Sequence, residues 1–448
     1  MKFQQDLTKG NVTSTMLIFA LPLILGNLLQ QFYNIADTLI VGKFLGAAAL
    51  AAVGSAYTLM VFLNSVLLGM CMGCSVLFSI SWGQKALDKL HNEIYVSAVL
   101  LGGFSLGLTA LVFALLDNIL IWLQIPAEVA PLMHDYLWYV FIGIFFTFIY
   151  NYAAFLLRAV GDSVVPLIFL GLASVINIAL DLIFIIYWNM GVAGAAIATL
   201  AAQIAAAVGI VLYLSAKYSF LLPSKAECRF SSMTAGSVLR FSLLTCMQQS
   251  VMNFGILMVQ GLVNSFGTIV MAAFTVAVKI DTLAYMPVQD FGNAFSTFIA
   301  QNFGAGNTQR IRQGIKSAFS AACVFSLLIS AIVFIFAEEL MSVFVESSET
   351  AIIAVGAEYL RIEGAFYFGI GWLFLFYGLY RAVKMPELSI VLTVISLGTR
   401  VVLAYILSAV PAIGVTGIWA AIPIGWILAD IAGYLYYRRL RKTLYAAE

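Results

Sequence analysis

Nine ionisable residues stand inside long apolar runs of this chain: Asp37, Asp181, Lys279, Asp281, Asp290, Arg361, Glu363, Arg400 and Asp430. An ionisable side chain held in hydrocarbon is costly, and where one persists it marks a functional candidate. Asp37 lies in QQFYNIADTLIVG and Asp181 in NIALD, with Asn177 four residues before it. That spacing puts Asn177 and Asp181 on one helix face. Counted from the nearest ends of their runs at 1.5 Å per residue, Asp37 sits about 8 Å deep, Asp181 about 10 Å and Thr199 about 12 Å. Two carboxylates, an amide oxygen and a hydroxyl at one depth are hard oxygen ligands. They suit a small cation such as Na⁺, or a proton shared between the acids. The same oxygens serve both ions. Gln30 and Asn34 precede Asp37 by seven and three residues and fall on about the same helix face.

The elements that must position these groups are membrane helices. The chain has 448 residues, 63% of them hydrophobic and 10% charged, with mean hydropathy +1.02. Soluble chains carry about 25% charged residues. Apolar runs of about 20 residues read as spans, and twelve are expected: 15–41, 47–82, 94–120, 131–157, 163–187, 191–216, 236–263, 268–303, 315–341, 353–381, 388–410 and 413–437. Residues 1–216 form a first lobe, 217–235 a cytoplasmic linker and 236–448 a second lobe. If both termini are placed in the cytoplasm, 18 of the 22 Lys and Arg fall on that side, and the far side receives only Lys43. The sequon at Asn11 then lies inside and is discarded. A net charge of +1 gives no field for nucleic acid. The odd count of five cysteines reads as small buried residues, with the Cys71–Cys74 spacing lacking a second pair or a nearby His. His91 and His134 fall in opposite loops, so no catalytic site is expected and the chain is not read as an enzyme.

The chain also repeats itself. LRAVGDSVVP lies over YRAVKMPELS at a shift of 223 residues, and GVAGAAIATLAAQ meets GVTGIWAAIPIGW at the same shift. SISWGQ meets IAQNFGAG near 221. Ordered matches at nearly one shift indicate duplication. Each half holds six spans, an even number, so both face the same way. The expected fold is an all-α membrane protein: two parallel six-helix bundles related by a pseudo-two-fold axis along the membrane normal. The repeat is also an internal control. Asn177 lies over Arg400, Asp181 over Ala404 and Thr199 over Ile422, so the carboxylate site belongs to one lobe. The second lobe has its own polar set. Glu363 and Arg400 reach similar depth and are expected to pair. Pro287 is expected to bend its helix, and Asp281 or Asp290 to face a central path and attract a cationic substrate.

FYNIADTLIVGKFLGAAALAAVG, LLRAVGDSVVP, NIALD, GVAGAAIAT and IAQNFGAGN, in that order over nearly the whole chain, resemble the multidrug and toxic compound extrusion (MATE) transporters. The resemblance implies an efflux pump of the plasma membrane that exchanges H⁺ or Na⁺ for small organic, often cationic, compounds. It implies no cofactor, no obligate protein partner, and a lipid bilayer as the setting. In the branch coupled through its first lobe, it implies a cation site at Asp37, Asn177, Asp181 and Thr199, a bending helix at Pro22, and a cavity lined by Gln30, Asn34 and Asn151. Gln248 and Gln249 stand where the other branch carries an acid, so second-lobe coupling is not expected; Gln249 is placed with the cavity. Two rival readings are a flippase for lipid-linked sugars, which calls for a cationic cavity, and an ion channel, which calls for repeated filter groups.

Overall fold

The computed structural model describes residues 4–225 and 227–444. In the first half it holds α1 (Val12–Leu45), α2 (Ala47–Gly83), α3 (Leu87–Ala114), α4 (Leu116–Trp122), α5 (Ala130–Ala159), α6 (Val164–Leu182) and α7 (Gly191–Lys217). In the second it holds α8 (Ser232–Asn264), α9 (Thr268–Gly304), α10 (Thr308–Ile335), α11 (Ala337–Ser342), α12 (Thr350–Gly364), α13 (Tyr367–Ala382), α14 (Pro386–Ser408) and α15 (Val415–Leu444). Among the described residues ten helices are long and apolar enough to cross a bilayer, and the bent pair α12–α13 makes an eleventh. α8, with 33 residues, occupies the place of the seventh expected span. Two expected spans shift register: the third ends at Ala114 and the ninth at Ile335, each followed by a short helix.

The duplication extends to the backbone. α2 and α9 start and end 221 residues apart, as do α3 and α10. Four left-handed turn positions recur in both halves: Gly46 with Gly267, Lys85 with Gly306, Gly161 with Lys384, and Gly191 with Gly414. Gly46 (φ 84°) and Gly267 (φ 97°) sit at the N-caps of α2 and α9, where an L side chain is strained. The halves differ in the shape of one long span. α5 runs unbroken for 30 residues, whereas α12 and α13 meet at a 53° bend. Gly364, a poor helix former, ends α12 at that bend.

Two compact units result. The first comprises residues 1–6 and 21–246, the second 7–20 and 247–448. The division therefore falls inside α1 and inside α8 rather than in the connecting segment. In the first unit α5 packs on α2, α3 and α7, and α6 packs on α7. α2 also meets the start of α8 at backbone distance: a Cβ on Gly73 would lie 2.7 Å from Ser242 Cα, and one on Gly69 2.7 Å from Cys246 Cα. Small residues permit such an approach. There Ser242 Oγ donates to the Met70 carbonyl at 3.1 Å. In the second unit α9 packs on α10, α12 and α13, and α14 on α15. Its core holds an aromatic trio, with Phe274 stacked on Trp419 at 5.3 Å and Tyr359 edge-on to Trp419 at 5.0 Å. All five cysteines are free, and Cys71 and Cys74 are buried.

Candidate functional site

In the first unit α1, α6 and α7 bring together the four residues expected to hold a cation. Asp37 is 9% exposed, Asn177 1%, Asp181 0% and Thr199 7%. In the orientation that matches donors to acceptors, the Asn177 amide donates to Asp181 Oδ2 at 3.2 Å and its oxygen accepts from the Thr199 amide at 3.2 Å. Asn177 thus ties α6 to α7. The Asp37 and Asp181 carboxyls are close enough to interact directly, and each leaves a buried Oδ1 with no hydrogen-bond partner. Two ionised carboxylates so placed repel and are poorly solvated, and one bound proton or one cation removes most of that cost. Asp181 lies just before a π-helical turn, Ile183–Tyr187, which closes α6. Such turns commonly accompany functional sites.

Two tyrosines complete the pocket and were not anticipated. Tyr33 and Tyr136 lie beside Thr199 and within the field of both carboxyls. Tyr33 carried a readable signal, since it precedes Asp37 by one helical turn. Tyr136 sits in the aromatic run YLWYVF, where no local pattern singles it out.

The residues expected to line a cavity are spread over both units. In the first, Gln30 is exposed and Asn34 half-buried beside the Tyr57 hydroxyl. Asn151 is half-buried and donates to the Thr147 carbonyl of its own helix at 2.9 Å. In the second, Gln249 is half-buried and Asp290 buried. Asp281 lies with Glu363, Arg400, Tyr359 and Tyr367 in a buried cluster built by α9, α12, α13 and α14. The direct contact in it is between the Asp281 and Glu363 carboxyls, while Arg400 lends only its field to both; the expected Glu363–Arg400 ion pair is not formed, because Asp281 of α9 takes the place beside Glu363. By the repeat, Asp281, Glu363 and Arg400 lie over Met60, Val140 and Asn177. Each unit thus carries a polar cluster that the other lacks. α1 and α9 continue as helices across Pro22 and Pro287, where the proline removes a backbone donor.

Outside the spans, the segment after α7 is pinned to the first unit. The Tyr218 hydroxyl donates to Asp162 Oδ2 at 2.6 Å, and Asp162 Oδ1 accepts from the Val164 and Val165 amides that start α6. Burial, with Asp162 beside it, pushes the Tyr218 hydroxyl well above its ordinary value. His91 and the Ser224 amide hold the Glu227 carboxyl down at about 2.

The MatE family profile matches residues 22–183 and 243–406, one block in each half. The chain belongs to the MatE family. The likeness to other MatE-type proteins runs full length. A Bacillus subtilis protein described as probable multidrug resistance protein YpnP is 32% identical over 437 residues, covering 97% of this chain and 96% of that one. A Shewanella oneidensis protein described as an FAD transporter is 25% identical, covering 100% and 99%. A solved MATE-family transporter of the MOP superfamily in the outward-facing conformation superimposes with TM-score 0.91 at 24% identity, over 98% of each chain. A transporter from Pyrococcus furiosus, described as having a binding pocket of reversed polarity, gives TM-score 0.90 at the same identity and coverage. These establish the MatE fold for a multi-pass membrane protein.

Proposed function

We propose that this MatE-family chain exports small organic cations in exchange for H⁺ or Na⁺ by alternating access, with the ion taken up at Asp37 and Asp181. The observation that carries the reading is the buried carboxyl pair with Asn177 and Thr199, present in one half of a duplicated chain and replaced by Arg400, Ala404 and Ile422 in the other. A site retained by scaffold alone would appear in both halves. The relatives' descriptions as multidrug resistance proteins support an organic cargo.

In this cycle the empty site is charged and the carrier holds its substrate. A cation reaching the pair neutralises the pocket, and α1 repacks, bending at Pro22. Substrate is then released outward. The ion drives the cycle only through its preference for one conformation. Both termini lie in the cytoplasm and the protein works in the plasma membrane, in keeping with the side on which Lys and Arg concentrate. Gln30, Asn34, Asn151, Gln249, Asp281 and Asp290 contribute to the substrate path.

The full-length relative described as an FAD transporter favours one competing reading, an anionic cargo. Proteoliposomes with pH and Na⁺ gradients imposed separately decide between these. Efflux of an organic cation driven by one gradient, and lost in Asp37→Asn, is expected. Native-rate pumping by Asp37→Asn, or exchange of FAD but not of any organic cation, overturns the reading.

A further inference from the structure

The segment that leads from α7 to α8 is fastened to the first unit around one histidine. His91 lies near the start of α3, ahead of the apolar run that opens at Ile94, and is 9% exposed. Its Nδ1 stands 2.9 Å from Glu227 Oε1 and its Nε2 2.8 Å from the Phe220 carbonyl oxygen. A carboxylate and a carbonyl can only accept. A neutral imidazole has one N–H, so it serves one of these oxygens and turns a lone pair on the other; the protonated ring serves both. The geometry therefore calls for the imidazolium. Around it the fastening continues. Glu227 Oε2 accepts from the Ser224 amide at 2.7 Å. The Asn92 amide donates to the Arg229 carbonyl at 2.7 Å, and its oxygen accepts from the Thr234 hydroxyl at 2.6 Å. Trp82 at the end of α2 packs on Phe220, with ring centroids 6.1 Å apart.

The charges near the ring are few. Glu227 of the segment and Asp88 of α3 both favour its protonated form. Lys89 and Glu93, also on α3, face each other at 3.9 Å. Beyond Phe220, the Tyr218 hydroxyl is taken up by Asp162. Lys85, Lys225 and Arg229 are the remaining charges on the α2–α3 turn and the segment. Burial opposes a charge on His91, but Glu227 and the Phe220 carbonyl outweigh it and raise the ring above its ordinary 6.5. The repeat supplies a control. His91 lies over Arg312 at a shift of 221 residues, so the second half has at this place a cation that does not titrate near neutrality.

We propose that His91 is a proton-operated latch: while its ring carries both protons it clamps residues 219–231 to the first unit, and loss of one proton as pH rises releases them. Glu227 stays ionised throughout that change, so the histidine is the group that switches. The contribution of the proton is complete below 6.5 and is lost as pH rises through the raised value. Between the two, opening releases one proton, and protection of the segment falls by up to about tenfold per pH unit. Release gives slack to the passage from α7 to α8. On the topology proposed above the latch faces the cytoplasm and reads internal pH; its working rests on neither that topology nor ion coupling at Asp37.

The test uses the full-length protein in nanodiscs, with neither gradient nor substrate, so its outcome is separate from that of the transport reading. The chain has two histidines, and His134→Gln assigns them in ¹⁵N-histidine NMR spectra. His91 is expected to have both nitrogens protonated at pH 6.5 and to titrate above it. Hydrogen-exchange protection over residues 219–231, corrected for the intrinsic pH dependence of exchange, is expected to fall over the same interval. In His91→Gln protection is low and does not vary there. A ring with one N–H at pH 6.5, a transition at or below that pH, protection that stays level in the native chain, or an equal fall in His91→Gln overturns the proposal. If His91→Gln fails to fold, the NMR titration and the exchange profile of the native chain still decide.

Discussion

Gly73→Ala is the sharpest structural test, because the cost can be worked from the contact. A Cβ at Gly73 would run first into the Phe241 carbonyl oxygen and stand 2.7 Å from both the Phe241 carbonyl carbon and Ser242 Cα. Ordinary contacts of this kind begin at about 3.4 Å, so α8 must withdraw by at least about 0.7 Å, and more to clear the carbonyl oxygen; overpacking of this sort costs about 1–3 kcal/mol. The neighbour is backbone, which yields less than a side chain, so the upper part of that range applies. Withdrawal also lengthens the 3.1 Å Ser242–Met70 and Ser242–Cys74 contacts. Gly69 lies one turn earlier against Cys246 at the same 2.7 Å. One displacement of α8 relieves both clashes, so Gly69→Ala with Gly73→Ala costs less than the sum of the two. Gly54 supplies the control. It lies in the same helix with nothing within 4 Å of a new Cβ, so Gly54→Ala gains about 0.5–1 kcal/mol from helix propensity. Thermal unfolding of the purified variants side by side reads all of these. A Gly73→Ala protein as stable as Gly54→Ala would refute the close approach of α2 and α8.

Other outcomes follow from the clusters described. Arg400→Ala removes the positive field over two buried carboxyls and is expected to destabilise, by less than the about 3–5 kcal/mol of a broken buried ion pair. Arg400→Met with Asp281→Asn and Glu363→Gln restores much of the loss in a denaturation assay. Tyr218→Phe leaves a buried Asp162 oxygen without its donor and costs about 1–3 kcal/mol by the same measurement. Glu227, held at about 2 against an ordinary 4.5, stabilises the connecting segment fully above pH 4.5 and loses that contribution as pH falls toward 2. Hydrogen-exchange protection over residues 219–231, corrected for the intrinsic pH dependence of exchange, should therefore fall across that interval in the native protein. In Glu227→Gln the acid-dependent change should be absent.

Much of the site was legible because its residues break a strong pattern. A carboxylate in an apolar run needs no tertiary information to be noticed, and depth alone grouped Asp37, Asp181 and Thr199. Asn177 followed from four-residue spacing. The tyrosines were hidden because an aromatic ring in a membrane helix is ordinary until its hydroxyl meets a partner. The bend after Gly364 was equally hidden, since the apolar run continues unbroken through GAFYFGIGW. The cluster of Asp281 with Glu363 and Arg400 shows a further limit. Depth grouped Glu363 with Arg400, but the packing of α9 on α12 puts Asp281, not Arg400, in contact with Glu363. The division of the units inside α1 and α8 likewise depends on contacts that no run of residues encodes.

The paired turn positions carry a different message. At Lys85 and Gly306, and at Gly161 and Lys384, one copy uses glycine and the other lysine for the same left-handed bend. Backbone geometry was held fixed while the side chain changed hands. The two copies are thus an experiment already run on matching corners: Lys85→Gly and Lys384→Gly are substitutions the chain itself has tried elsewhere. The exchange is open at Gly306, where a new Cβ meets nothing within 4 Å, and closed at Gly161, where it would run into the Gln5 backbone, so a designer can move lysine into the first corner but only glycine out of the second.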